Sequence, residues 1–296
     1  MDKRNTEEIR AALEQRTIKL ADGTPLPAIG QGTWYMGEVE QEAEREADAL
    51  RLGLDLGMTV IDTAEMYGSG GAERVVARAL RGRRDEAFLV SKALPSHAGS
   101  AKLVEACENS LRRLETDRLD LYLLHWRGRV PLAETAEAME KLKQSGKIVR
   151  WGVSNLDTAD MEELWTAPEG RGCEINQVLY HLGSRGIEHD LLPWQRRVGM
   201  PIMAYCPLAQ GGSLRRELME SSEVRRVAKR LEATPAQVLL AWVIRSGDAL
   251  AIPKASSPGH VLENAAAARL CLSDEDIAQL EQAFPAPGRK VPLDIV

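Results

Sequence analysis

The sequence predicts an α/β chain folded as a (β/α)8 TIM barrel with an N-terminal β-hairpin. Three observations lead there. The chain has 296 residues, a comfortable length for one barrel of about 250 residues with modest insertions. Short apolar runs alternate along it with stretches of 3.6-residue periodicity. There are eight such runs, and strands alternating with helices through right-handed crossovers give either an open doubly wound sheet or a closed barrel. Eight repeats favour closure.

In chain order, residues 1–16 read as an N-terminal extension in which a helix is allowed, and residues 17–296 as a single barrel domain. TIKLADGTPLP (17–27) sets Asp22-Gly23 between two short runs, the signature of a hairpin turn, and this hairpin is placed to plug the bottom of the barrel. The candidate strands are LPAIG, TVID, AFLVSK, LDLYLLH, IVRWGVSN, CEINQ, PIMAYCPL and ALAIPK. Between them, KLVEACENSLRRLE (102–115), AETAEAMEKLKQSG (133–146) and TPAQVLLAWVIRSG (234–247) carry the helical pattern. Pro235 suits a first helical turn, where its missing N–H loses no bond. Gly146 and Gly247 are placed to end their helices.

VIDTAEMYGSGGAERVV (60–76) runs from strand into helix and sets two acids and a tyrosine between them. Gly68-Ser69-Gly70 opens a G-x-G after a strand, yet a dinucleotide fingerprint needs a third glycine where Glu73 stands. The glycines are therefore read as turn formers and Glu73 as a first-turn acid favoured by the helix dipole. The polar residues need another explanation. Asp62, Lys92, His125, Ser154 with Asn155, Gln177, Tyr205 and Lys254 each fall at or near the C-terminal end of a predicted strand, the face where barrel enzymes build their sites. Any one alone is more often a loop cap or a solvated charge. Seven strand ends together are costly to gather in one mouth without a purpose.

From about residue 17 to the C-terminus the sequence resembles the aldo-keto reductase family. The motifs that carry the resemblance are GMTVIDTAEMYGSGGAE, LVSKAL, LDLYLLHW, IVRWGVSN, INQVLYH, MAYCPL and IPKASSPGHVLENAAA, in the family's order and spacing. The resemblance implies a barrel that uses a nicotinamide cofactor, usually NADPH (NADP+ when oxidised), without a Rossmann fold. It maps a catalytic tetrad onto Asp62, Tyr67, Lys92 and His125. Hydride delivery to a carbonyl carbon leaves negative charge on oxygen, and a proton donor placed there stabilises that charge as it develops. Tyr67 is the implied donor. A phenol has an ordinary pKa of about 10, so Lys92, held by Asp62, is expected to make it a better acid. His125 is expected to orient the carbonyl. Glu65 matches no catalytic position and is read as a solvated loop acid.

By the same carry-over, Ser154, Asn155 and Gln177 hold the cofactor's carboxamide, and Tyr205 stacks on the nicotinamide. Lys254, Ser256 and Ser257 meet the 2′-phosphate, with Glu263 and Asn264 completing the cofactor site. His260 stands where many relatives carry an arginine, a side chain that is always charged and grips phosphate bidentately. Trp34, Tyr35 and Trp126 are candidates to wall a small apolar substrate pocket. The tail FPAPGRKVPLDIV most resembles bacterial members that reduce methylglyoxal and similar small aldehydes.

Composition narrows the alternatives. A net charge of −6 and a pI of 5.6 argue against a nucleic-acid footprint, and the basic run RGRR (81–84) follows a helix, whose C-terminal end attracts cations. Four cysteines without a C-x-x-C pair and an N-terminus without an apolar signal core point to a reducing cytoplasm. No apolar run reaches the 18 or so residues of a membrane span, and no metal site is expected. The expected protein is a cytoplasmic monomer that reduces an aldehyde or ketone, with no nucleic-acid or membrane partner. Two rivals share the fold: an NADPH-binding redox-sensing or regulatory barrel with little turnover, and a Schiff-base aldolase acting through Lys92.

Overall fold

The computed structural model describes residues 3–296, so residues 1 and 2 of the N-terminal extension lie outside the described residues. Helix α1 (Lys3–Gln15) precedes an antiparallel hairpin of β1 (Thr17–Lys19) and β2 (Pro25–Pro27). Eight parallel strands follow: β3 (Gln31–Gly32), β4 (Val60–Asp62), β5 (Phe88–Ala93), β6 (Leu119–Leu124), β7 (Ile148–Ser154), β8 (Cys173–Leu179), β9 (Ile202–Tyr205) and β10 (Ala249–Ala251). They pair in sequence order. Parallel bridges from Ile29 to Ala251 and from Gly32 to Lys254 join the first to the last, and the barrel closes.

Helices α2 (Ala43–Asp55), α3 (Gly71–Leu80), α4 (Ser100–Leu114), α5 (Leu132–Gln144), α6 (Thr158–Thr166) and α7 (Leu191–Val198) each follow one strand. Three more, α8 (Gly212–Glu220), α9 (Ser222–Arg230) and α10 (Pro235–Val243), all follow β9. Then α11 (Pro258–Ala266) follows β10 and α12 (Asp274–Ala283) ends the series. Thr234 and Gln237 form a capping box that starts α10 with Pro235 in its first turn. That helix stops at Val243, so Gly247, with φ +76°, shapes the turn beyond it rather than ending it as expected.

Two predicted strands need correction. LPAIG divides: Leu26 and Pro27 pair with Ile18 and Thr17 in the hairpin, while Ile29 bridges to Ala251 of the barrel, where the Ala28 carbonyl accepts the Ala251 N–H at 2.9 Å and the Gly30 N–H donates to the Ala251 carbonyl at 2.8 Å. The cause is the plug, which needs Leu26 for itself. Strand β3 then runs so close to β10 that a Cβ on Gly32 would lie 2.7 Å from the Ile252 carbonyl oxygen, which only glycine permits. PIMAYCPL ends as a strand at Tyr205, because Cys206 takes φ +48° and turns the chain.

Two apolar cores result. One lies between the sheet and its helices; the other fills the barrel, where Val60, Val90, Leu121, Leu123, Ile175, Met203, Leu250 and Ile252 meet Ile18, Leu20 and Leu26 of the hairpin. The three hairpin side chains are at most 3% exposed, and each contributes up to about 1.5–3 kcal/mol by burial. Side chains two apart on a strand share a face. Asp62, Lys92, His125, Gln177, Tyr205 and Lys254 each stand two residues after one of these inward apolar residues, so the barrel stacks its polar groups directly over its apolar filling.

The hairpin turn is also pinned by charge. Asp22 accepts the Thr24 N–H at 2.8 Å and the Arg150 Nε–H at 2.8 Å. Burial works against its charge, but the bonds to Thr24 and Arg150 prevail and hold the carboxyl down at about 2. A carboxyl held below its ordinary pKa lends stability above that value and loses it as pH falls through the folded value. Asp22→Asn is therefore expected to lower stability at neutral pH by on the order of 1 kcal/mol, discounted for solvent screening. Urea melts of the two proteins should converge between about pH 4 and pH 2; a gap that stays constant into acid would refute the assignment.

Candidate active site

Lys92, on β5, has no exposed surface. Its ammonium donates to Asp62 Oδ2 at 2.7 Å, to the Thr63 carbonyl at 2.8 Å and to the Tyr67 hydroxyl at 3.1 Å. An ammonium has three N–H donors, and all are committed. Gln177 donates to the other Asp62 oxygen at 2.7 Å and to Met203 Sδ at 2.8 Å. Burial pushes the Asp62 carboxyl up and the Lys92 amine down, while their mutual attraction opposes both shifts.

Lys92 Nζ also lies 4.7 Å from the centre of the Tyr67 ring. Burial first, and the Asp62 charge second, hold the Tyr67 phenol well above its ordinary pKa. In the resting protein burial therefore outweighs the help expected from Lys92, and the net shift is upward. The lysine's charge is already matched by Asp62, so desolvation prevails. The phenol is consequently protonated in the resting protein.

His125, just past β6, packs edge-on against Tyr67 with ring centres 5.7 Å apart. Burial, reinforced by Lys92, lowers its pKa to about 3, so the ring is neutral across the working range. Nδ1 is buried without a partner, leaving Nε2 as the nitrogen able to donate to a ligand.

Over these groups lies a small pocket of about 60 Å³ that Trp34 and Trp126 help to wall, together with Met66 and the tail residues Ile295 and Val296. Met66, Ile295 and Val296 escaped the sequence analysis, and no periodicity marks them because the last residues form no helix or strand. The tail is moored by charge. Lys290 Nζ bridges Asp157 Oδ1 at 2.5 Å and Asp190 Oδ1 at 2.7 Å, the residues that cap α6 and α7, and Asp294 accepts the Ser184 hydroxyl.

A longer cleft of about 250 Å³ runs from Asp62 and Tyr67 past Tyr205 and Cys206 to Lys254, His260, Glu263 and Asn264. Tyr35, expected in the substrate pocket, lines this cleft instead, because its φ of +67° turns it away and its hydroxyl accepts a bond from Gln210. Ser256 and Ser257 are engaged locally: Ser256 accepts the Lys254 ammonium at 3.2 Å, and Ser257 caps α11 by accepting the His260 N–H at 3.5 Å. Arg215 of α8 also lines the cleft and went unremarked in the sequence, since nothing distinguishes it from its helical neighbours. Among the described residues its guanidinium bonds to the Leu208 and Ala209 carbonyls, at 3.4 and 3.3 Å.

At the junction of the two cavities, Asn155 donates to the His125 carbonyl at 3.2 Å and accepts the Tyr205 hydroxyl at 2.9 Å, while Ser154 donates to the Gln177 carbonyl at 2.8 Å. With its amide hydrogens committed, Gln177 keeps its side-chain oxygen as an acceptor. That suits an amide ligand.

Two acids differ from expectation. Glu65 is turned inward, with its side chain 9% exposed, and accepts the Leu94 N–H at 2.7 Å while meeting His97 Nδ1 at 2.8 Å. Unpaired loop N–H groups at the end of β5 draw it in, so it is not the solvated acid expected. Glu73 does stand in the first turn of α3, but it is wholly buried, bonded to Ser91 Oγ at 2.6 Å and to Arg113 Nε.

The model of the Aldo/keto reductase family matches residues 28–284. The chain belongs to that family. It is 56% identical over 284 residues to methylglyoxal reductase YeaE of Escherichia coli (strain K12), covering 96% of this chain and 100% of that relative. It is 30% identical to the glyoxal reductase of Bacillus subtilis (strain 168) over 265 residues, 90% of this chain and 91% of the relative. Among solved structures, the aldo/keto reductase of Klebsiella pneumoniae in complex with NADP and acetate superposes with a TM-score of 0.93 at 58% identity, covering 95% of this chain and 99% of that one. A second structure of a Klebsiella aldo-keto reductase, with NADPH, matches equally well. The closed barrel and the hairpin beneath it are thus an aldo/keto reductase's framework.

Proposed function

We propose that the chain is an NADPH-dependent reductase of small aldehydes and ketones, acting as a monomer in the cytoplasm. The observation that carries this reading is the convergence of Asp62, Lys92, Tyr67 and His125 beneath a small pocket that opens into a cleft long enough for an extended ligand. Ser154, Asn155, Gln177 and Tyr205 would hold the nicotinamide end, and Lys254, Arg215 and the N-terminus of α11 the phosphates. The cleft fits such an anion: Lys254 and Arg215 meet hydroxyl and carbonyl oxygens there rather than carboxylates, and a helix N-terminus offers backbone N–H groups to phosphate. When bound, NADPH supplies the hydride. Nε2 of His125 orients the carbonyl oxygen, Tyr67 gives that oxygen its proton, and Lys92 stabilises the phenolate left behind while Asp62 keeps the lysine charged.

The relatives named for methylglyoxal and glyoxal reduction support a short dicarbonyl as substrate, and so does a pocket of about 60 Å³. All four cysteines are free thiols, in keeping with a reducing compartment. A Schiff-base aldolase is disfavoured, because Lys92 is sealed and its donors are committed. Initial rates with NADPH or NADH against methylglyoxal, glyoxal and a series of ketones test the proposal; no oxidation of NADPH with any of them would end it.

His260 gives this reading a finer test. It lines the cleft beside Lys254 on the exposed first turn of α11, where an arginine would be permanently charged. NADPH should be preferred over NADH through Lys254 and the N-terminus of α11. His260→Arg should tighten NADPH and leave NADH nearly unchanged. Fluorescence titration of both cofactors reads this directly, and an affinity ratio that ignores the substitution would remove His260 from the phosphate site.

A further inference from the structure

Tyr67 does not sit on a strand. It lies five residues beyond the end of β4, in a loop whose next three residues, Gly68, Ser69 and Gly70, all have positive φ, at +54°, +51° and +83°. Ser69 adopts that conformation against the clash of its Cβ with the following carbonyl, and Gly70 caps α3 with no side-chain bond. Such a segment does not hold its own shape; something outside it must. Toward α3, the buried carboxylate of Glu73 grips Ser91 and Arg113. Toward the loop after β3, Gly71 and Gly37 touch backbone to backbone, since a Cβ on Gly71 would lie 2.2 Å from the Gly37 oxygen. Toward the end of β5, where Lys92 sits, the backbone bond from Glu65 N–H to the Lys92 carbonyl is long, at 3.5 Å. The start of the loop is held to β5 by Thr63, whose N–H reaches the Val90 carbonyl at 2.9 Å and whose carbonyl accepts the Lys92 ammonium at 2.8 Å; nearer Tyr67, the short links are the bonds of the Glu65 carboxylate to Leu94 and His97, at 2.7 and 2.8 Å.

We propose that Glu65 is a positioning residue for proton donation: its carboxylate fastens the loop carrying Tyr67 to the segment that follows Lys92 and so fixes the separation of the two reacting partners. The proposal rests on the reading of Tyr67 as proton donor. Glu65 itself lines neither cavity, whereas its neighbours Met66 and Tyr67 do, so it acts through Tyr67 and touches no ligand.

The test compares Glu65→Ala and Glu65→Gln with the unaltered protein for kcat, KM, NADPH affinity and melting temperature. An amide oxygen still accepts the Leu94 N–H, so the Gln variant should retain most of the turnover. The Ala variant should lose kcat by on the order of 10- to 100-fold, the scale of a small misplacement of reacting groups, while NADPH affinity stays within about twofold. Unchanged kcat in folded Glu65→Ala overturns the proposal. So does a parallel loss of turnover and NADPH affinity, which marks a general loosening. If the Ala variant does not fold, Glu65→Gln decides: retained turnover supports the anchor, and an inactive but folded, NADPH-binding Gln variant overturns it. The reading of Tyr67 fails differently, through an unaltered protein that reduces no carbonyl at all.

Discussion

Tyr67→Phe is expected to lower kcat by about 100-fold or more while NADPH binds nearly as tightly as before. The substitution removes one oxygen and keeps the ring, so Tyr67 continues to help wall the small pocket and the cation above the ring keeps its contact. What disappears is the hydroxyl beside Lys92 that the proposed mechanism uses as proton donor. His125 cannot replace it: with a pKa near 3, its neutral ring would have to surrender an N–H far less acidic than a phenol. The change also strands one Lys92 N–H that was bonded at 3.1 Å, and an unsatisfied buried donor costs about 1–3 kcal/mol. Melting curves should show that modest loss, too small to account for the kinetics at room temperature. Single-turnover rates with saturating NADPH measure the chemical step, and a near-normal rate would take Tyr67 out of the mechanism.

Lys92→Met and Asp62→Asn should each cut turnover sharply, yet move its pH dependence in opposite directions. The two side chains form one sealed ion pair with 0% and 3% of their side-chain surfaces exposed, and removing one member of such a pair typically costs about 3–5 kcal/mol. Stability alone therefore predicts similar losses from both. Electrostatics separates them. Without Lys92 the phenolate of Tyr67 loses its neighbouring cation, its pKa rises further, and the alkaline limb of the pH–rate profile moves up. Without the Asp62 charge, which helps to hold the phenol above its ordinary value, that pKa falls and the alkaline limb moves down. Rates normalised to folded protein across the pH range provide the measurement. Two variants with unshifted profiles, inactive only in proportion to what has unfolded, would show the pair to be structural.

Most of the barrel is legible in the sequence because burial on both faces of its strands writes apolar runs, and the polar residue that ends each run is conspicuous. A sharper rule was available: V-I-D, V-S-K, L-L-H, I-N-Q, M-A-Y and I-P-K all place the polar group two residues after an inward apolar one, and that spacing alone assigns them to one face. The failures share a physical cause. LPAIG was misjudged because hairpin and barrel draw on adjacent residues, and which neighbour pairs with Leu26 is a long-range matter. Glu65 was misjudged because its partners, Leu94 and His97, come from the next loop, and no local pattern announces a carboxylate that folds inward. The direction of the Tyr67 pKa depended on burial, which composition cannot weigh against a nearby cation. Arg215 and the tail residues Ile295 and Val296 are brought to the site by the path of irregular segments.

The hairpin beneath the barrel has a further effect on the chemistry at the top. Ile18, Leu20 and Leu26 stopper a bore already filled by aliphatic side chains, so among the described residues the vessel is closed at that end. On the proposed mechanism each reduction consumes a proton as well as a hydride, and Tyr67 must be recharged before the next. The floor is oil, and Lys92 behind the phenol is sealed from solvent. Water that refills the acid has to enter by the mouth that admits the carbonyl and discharges the alcohol. On that mechanism, recharging and product escape share one doorway.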